Sequence, residues 1–302
     1  MHSKSVMDLK SYLHEKKAIV DKALEAYFPE PEGPASEVIE AMKYSLFAGG
    51  KRLRPILCLA GTEVVGGTET NSLPIACALE LIHTYSLIHD DLPIMDDDDF
   101  RRGKPTNHKI FGEALALLAG DGLLTEAFHL MAQTPLTEQI TSHVLLRVIE
   151  FISQAAGYRG MVGGQTVDIQ SEGKNLNISL VEFIHTHKTG ALITASVTSG
   201  AMLGAGNKSE IQAIRNYGQK IGLAFQISDD ILDIEGNSET MGKKAGADKQ
   251  KGKMTYPSIV GLSRSKGIQT ELAEAAVKSL REFDHKAEPL RQIARYIIER
   301  KA

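Results

Sequence analysis

Ser72-Leu-Pro-Ile-Ala-Cys-Ala-Leu-Glu-Leu-Ile-His-Thr-Tyr-Ser-Leu-Ile-His-Asp-Asp91, followed by Leu-Pro-Ile-Met and then Asp96-Asp-Asp-Asp-Phe-Arg-Arg102, is the stretch on which the reading turns. Its first part is apolar on nearly every side of a helix, with Ile75, Ala76, Ala78, Leu79, Leu81, Ile82, Leu87 and Ile88. A helix of that kind belongs in the middle of other helices. Its second part sets six carboxylates within ten residues, Asp90 to Asp99, and closes on Arg101 and Arg102. Such a crowd repels itself unless cations sit among it. Oxygen-only donors suit a hard divalent ion such as Mg²⁺. A solvated acidic loop is the plainer explanation, and the rest of the chain decides between the two.

Outward in both directions the pattern stays helical. Apolar positions recur at three-to-four spacing over about 6–28, 36–46, 55–65, 111–118, 123–131, 137–156, 165–170, 180–187, 192–203 and 210–234, and again from Pro257 to Arg300. Gly120-Asp121-Gly122 is expected to split one pair of helices, and Gly157 to Gly164 to break another run. The polar stretch from Glu235 to Lys253 is expected to form a loop. No alternating β-branched run calls for a sheet. The expectation is one all-α domain over residues 1–302, a large helical bundle of about ten or more helices around a central cavity.

Composition narrows the function classes. Apolar content of 42% and charged content of 24% are ordinary for a globular protein. A net charge of −4 and the absence of Trp argue against a nucleic-acid partner. Cys58 and Cys77 form no C-x-x-C pair and read as buried free thiols in a reducing compartment. No run of about 18 apolar residues is seen, and the N-terminal residues lack the apolar core of a signal peptide. A cytoplasmic protein without stable membrane insertion is therefore expected.

A second acidic cluster, Asp229-Asp230-Ile-Leu-Asp233, lies inside a helical pattern. Residues four apart are turned only about 40° from one another, so Asp229 and Asp233 share a face, with Gln226 near it. Carboxylates on two helices facing one cavity can hold metal ions between them. The cations supply the other half: Gly49-Gly50-Lys51-Arg52-Leu53-Arg54, Arg101-Arg102, Lys188, Lys243-Lys244 and Lys253 all fall near helix ends or in glycine-containing loops. Arginine forks match phosphate oxygens, and glycine admits close backbone approach. Together they point to a polyphosphate held directly and through Mg²⁺. His83, two helical turns before Asp90, lies on nearly the same side. A rival exists in two E-x-x-H pairs, Glu80 with His83 and Glu182 with His185, the pattern of di-iron carboxylate bundles. It leaves both aspartate clusters and the basic motifs unexplained.

These motifs, in this order, resemble those of the bacterial short-chain trans-prenyl diphosphate synthases, most of all the farnesyl-diphosphate-forming branch. They are GGKRLRP at 49–55, DDxxxxD at 90–96 with Arg101-Arg102 behind it, GGQxxD at 163–168, KTG at 188–190, Gln226 with DDILD at 229–233, and GKxxGxD at 242–248. The resemblance spans nearly the whole chain and implies the isoprenoid synthase fold. It implies that Asp90, Asp96 and Asp229 hold Mg²⁺, roughly three ions per active site with Mn²⁺ able to substitute, bridging to an allylic diphosphate. Asp91, Asp230 and Asp233 are secondary in this scheme. Arg101, Lys188, Thr189, Gln226 and Lys243, with Lys253, match residues around the allylic diphosphate. Gly50, Lys51, Arg54, His83 and Arg102 match the isopentenyl diphosphate pocket. No protein nucleophile or general base is implied, and a homodimer is. The implied reaction joins isopentenyl diphosphate to dimethylallyl and then geranyl diphosphate, giving (2E,6E)-farnesyl diphosphate and diphosphate. Geranylgeranyl (C20) or geranyl (C10) diphosphate is the alternative product. The implied length-setting residue is Tyr85, with Ser86 beside it, five positions before Asp90 and about 7.5 Å below it along a helix. An ideal helix turns Tyr85 well away from the Asp90 face, so spacing alone leaves open whether it lines the pocket.

Overall fold

The computed structural model describes residues 7–28, 30–174, 177–235 and 254–299. Helix α4, Glu69–Asp90, is the centre of one core. Ile75, Ala76, Cys77, Ala78, Leu79, Leu81 and Ile82 are all fully buried in it. It begins three residues earlier than its apolar pattern, at Glu69, whose carboxylate pairs with buried Lys16 of α1, Leu9–Tyr27. Pro74 sits inside it, within the second turn.

Around α4 stand α2, Ser36–Leu46, and α3, Leu53–Val64. After the aspartates come a two-residue hairpin, β1 Phe100–Arg101 with β2 Lys104–Pro105, and a short α5, Asn107–Phe111. The hairpin departs from the expectation of no sheet. Helix α6, Glu113–Ala132, is continuous through Gly120 and Gly122, where a break was expected. Glycine in a helix interior costs about 1 kcal/mol against alanine, but here each one admits a neighbour. A Cβ on Gly120 would lie 2.1 Å from His89 Nε2, and one on Gly122 would lie 2.9 Å from Met42 Sδ. By length and composition α6 reaches the range of a membrane span, with mean hydropathy 1.3, against the expectation that no such run exists. In the fold its Ala116, Ala119, Leu123, Ala127, Leu130 and Met131 are buried in the same core as α4.

Helices α7, Ser142–Ala156, and α8, Met161–Ser171, follow. Helix resumes at Met161, inside the run of glycines expected to break it, for a reason that belongs to the site. Helix α9, Ile178–Ile184, passes through a π-helical segment, His185–Gly190, into α10, Ala191–Leu203. Helix α10 lies backbone-to-backbone on α3: a Cβ on Gly61 would be 2.2 Å from Val197 O, and one on Gly200 would be 1.9 Å from Cys58 O. Cys58 and Cys77 are buried and free, as expected. The long α11, Lys208–Glu235, packs with α12, Tyr256–Val260, α13, Leu262–Ser279, and α14, Glu288–Glu299. Tyr217, fully buried on α11, donates its hydroxyl to Leu290 O at 2.6 Å and ties α14 down. The architecture is all-α, as the sequence pattern required.

Candidate active site

Two loops, the packing of α8 on the π segment and one face of α11 carry the predicted residues. The first loop follows α4, where Pro93 ends the helical run. The chain folds back on itself: Met95 N–H donates to Leu92 O at 2.9 Å, Asp96 N–H to Asp90 O at 2.8 Å, and Asp97 N–H to Leu92 O at 3.2 Å. Asp97 takes the left-handed φ of 51° needed to close the turn. Asp96 is thereby returned over Asp90. Burial pushes the Asp90 carboxyl up to about 6, with Asp96 and Asp91 adding to the rise and Lys188 and Arg101 opposing it.

Asp91, next in sequence, goes elsewhere. It is buried and receives Arg101 Nε at 2.8 and 2.7 Å and Arg101 Nη2 at 2.5 Å. The guanidinium expected to face an allylic diphosphate therefore holds the aspartate turn to the hairpin. Arg102 and Gly103 are the two central residues of that hairpin, at φ 54° and 75°, the type I′ geometry. The turn delivers Arg102 to the second loop, where its Nη1 donates to Gly49 O. Gly50, at φ 116°, leaves room for it; a Cβ there would stand 2.6 Å from Arg102 Cζ.

The second loop is fixed by Arg52, itself left-handed at φ 52° and 3% exposed. Its Nε reaches Asp21 Oδ1, its Nη1 Glu80 Oε1 and its Nη2 Leu46 O, each at 2.8 Å. Arg54 is half-buried on α3 with a buried Nε that has no hydrogen-bond partner. Burial lowers its guanidinium to about 10, with Glu80 and Asp229 opposing and Arg102 assisting. Burial, then Arg54, Arg102, Arg101 and Arg52, holds His83 well below its ordinary value, so its ring is neutral. Gly50, Arg54, His83 and Arg102 thus form one electropositive group, with Lys51 exposed in the same loop.

The third part of the site is where α8 packs on the π segment. Lys188 Nζ pairs with Asp168 Oδ2 at 2.6 Å. A Cβ on Gly164 would be 2.2 Å from Lys188 N, so Gly164 lets that helix lie on the backbone of His187 and Lys188. Thr189 is half-buried beside Lys188. On the other side Gly222 of α11 meets Gly190, where a Cβ would be 2.8 Å from Gly190 Cα. This contact carries the second aspartate cluster in. Gln226 Nε2 donates to Asp229 Oδ2 at 3.1 Å. Asp230 turns into the fold and bonds His185 Nε2 at 2.9 Å and Tyr256 N–H at 2.8 Å, a framework role.

A model of the polyprenyl synthetase family matches residues 35–296 of this sequence. The chain belongs to that family. It is 49% identical over 278 residues to a farnesyl diphosphate synthase of Geobacillus stearothermophilus, covering 92% of this chain and 93% of that one. It is 47% identical over 294 residues to a geranylgeranyl diphosphate synthase of Cyanophora paradoxa, covering 97% of each. The crystal structure of a geranylgeranyl pyrophosphate synthetase from Pyrococcus horikoshii superposes with a TM-score of 0.87 at 32% identity, over 97% of this chain and 98% of that one. The protein is a prenyltransferase of the trans-prenyl diphosphate synthase type.

In this polyprenyl synthetase the di-iron alternative falls. Glu80 is bound to Arg52, His185 to Asp230, and Glu182 accepts from the Tyr256 hydroxyl. Among the described residues no group of three or more His, Cys, Asp or Glu side chains is close enough to enclose an ion by itself. The donors fit a divalent ion of another kind, one shared with a ligand. Asp90 and Asp96 on one side and Asp229 on another offer only oxygen, the donor type a hard divalent ion takes.

Lys243, Lys253 and the 242–248 motif lie outside the described residues. Two residues of the synthetase that earned no site role from sequence are now placed. Asp168 holds Lys188, and Glu80 holds Arg52. A lone glutamate in a fully apolar helix is the signal that was available for the second, because a buried carboxylate demands a buried cation. Ser86 donates its Oγ–H back to His83 O at 2.9 Å. Tyr85 is 6% exposed, and burial, with Asp90 adding, pushes its hydroxyl up to about 12.

Proposed function

We propose that this synthetase condenses isopentenyl diphosphate with dimethylallyl and then geranyl diphosphate and stops at farnesyl diphosphate. The observation that carries the reading is the grouping of Gly50, Arg54, His83 and Arg102 into one electropositive pocket, apart from an Asp90–Asp96 turn that feels Lys188. Two diphosphates in one site need that division: one held by guanidinium forks, one by metal and lysine. The unpartnered Arg54 Nε is a donor waiting for an anion in the isopentenyl pocket. His83, held well below its ordinary value by burial and the surrounding arginines, adds no charge there.

Asp90, Asp96 and Asp229 are proposed to hold Mg²⁺, about three ions, which when bound would neutralise charge on the leaving diphosphate. Lys188, held by Asp168, and Gln226, bonded to Asp229, are proposed to stabilise that charge as it develops. Thr189, Lys243, Lys253 and Arg101 complete the allylic set as proposed from the motifs. Arg101 is itself bonded to Asp91, Nε to Oδ2 at 2.7 Å. The apolar wall of α4 excludes water from the carbocation. Tyr85, with Ser86, is the proposed stop for the growing chain.

The test is turnover of radiolabelled isopentenyl diphosphate, with chromatography of the dephosphorylated products. A C15 product is expected; a C20 product removes the length assignment but not the activity. Chelation by EDTA is expected to abolish turnover and excess Mg²⁺ to restore it, and metal-independent turnover would refute the metal assignment. A homodimer is also proposed, supported by exposed Leu117, Leu118 and Leu146 on α6 and α7. Sedimentation as a single 32.8 kDa species would exclude it.

A further inference from the structure

His89 belongs to none of the motif roles, yet it links three features. It lies one helical turn beyond Tyr85 on the same face of α4. The two rings meet edge to face, with centroids 5.6 Å apart and planes at 80°. Its Nε2 lies 3.0 Å from Leu117 O on α6. A carbonyl only accepts, so Nε2 carries the proton and donates. Asp121 Oδ1 is 3.9 Å from the same nitrogen. The ring is therefore held at one end by the α6 backbone and presents an edge or face to Tyr85 at the other.

Gly120 makes this possible. A Cβ there would be 2.1 Å from His89 Nε2, 2.4 Å from Cδ2 and 3.0 Å from Cε1. Two of these contacts are closer than any Cβ tolerates, so the ring must shift from this position if a Cβ is present. The glycine inside α6 is thus the seat of the imidazole, and a methyl group at that position displaces the ring from it.

We propose that His89, seated on Gly120 and bonded to Leu117 O, is a positioning residue that fixes the Tyr85 ring across the path of the growing prenyl chain and so sets product length. The proposal rests on the assignment of Tyr85 as the stop. His89 touches no reacting atom. It acts by denying Tyr85 the rotamer that would open the pocket to a further five-carbon unit.

The experiment measures product distribution with geranyl diphosphate and labelled isopentenyl diphosphate for the unaltered protein, Tyr85→Ala, His89→Ala, Gly120→Ala and the double variant Tyr85→Ala/His89→Ala. Folding is checked for each by circular dichroism. His89→Ala and Gly120→Ala are each expected to raise the C20 to C15 ratio at least about tenfold, the discrimination carried by one apolar contact in a substrate pocket. The double variant is expected to match Tyr85→Ala alone, since His89 acts only through that ring. Gly120→Ala tests the same geometry with His89 itself in place, should His89→Ala fold poorly. If Tyr85→Ala lengthens the product while the folded His89 or Gly120 variant does not, the positioning role is overturned. If Tyr85→Ala leaves the product unchanged, it is the stop assignment that fails.

Discussion

Replacing Asp90 by asparagine lowers kcat by about 10³-fold, equivalent to about 4 kcal/mol of transition-state stabilisation. The substitution keeps the shape of the side chain and the backbone bond from Asp96 N–H to Asp90 O. What it removes is the charge proposed to hold a divalent ion. Asp91 is the instructive neighbour, because its carboxylate is committed to Arg101 through three contacts. Asp91→Asn therefore acts through the position of the hairpin and of Arg102 beside Gly50. Steady-state kinetics over a range of Mg²⁺ concentrations checks the prediction. An Asp90→Asn protein within tenfold of the unaltered kcat would show that this carboxylate is not a metal ligand.

Arg52→Leu destabilises the fold by about 3–5 kcal/mol, the penalty for leaving a buried charge without its partner. Arg52 and Glu80 are 3% and 1% exposed, so solvent screens their pair little. Without the guanidinium, Glu80 retains no cation at 2.8 Å and the Leu46 carbonyl loses its donor. The loop from Gly49 to Arg54 then loses the three bonds that shape it. Urea denaturation reads the stability loss as a fall in midpoint with little change in slope. A midpoint equal to that of the unaltered protein would mean the Arg52 network contributes no net stability. The double change Arg52→Leu/Glu80→Leu is expected to recover much of the loss, because two apolar groups leave nothing buried and unpaired.

How far the sequence reached can be judged from particular residues. The apolar density of residues 75 to 88 required a central helix, and α4 is one, its flank lengthened to Glu69 by a charge pair with Lys16 that periodicity does not see. Gly120 and Gly122 misled for the opposite reason. Local rules treat glycine as a helix breaker, while here it is a contact with His89 and Met42. The hairpin at 100–105 was invisible because two-residue strands carry no alternation, and its turn residues Arg102-Gly103 are not the usual Asn-Gly signal. The π segment at 185–190 likewise has no sequence signature, yet it is where Lys188 and Thr189 sit.

The sequence by itself determined the all-α class, the helical order and the inventory of charged groups, because periodicity and composition are local properties of the chain. It did not decide how those charges divide. By periodicity and composition Asp91 and Asp230 look equivalent to Asp90 and Asp229, each being one member of an Asp-Asp pair, and the motif resemblance ranks them second without saying what holds them. Only the tertiary structure sends Asp91 to Arg101 and Asp230 to His185 and Tyr256, leaving Asp90 beside Asp96 and Asp229 beside Gln226. Neighbours on a helix point about 100° apart, so one carboxylate of each pair faces the site and the other meets the packed framework. Which partners wait there is set by elements far away in the chain.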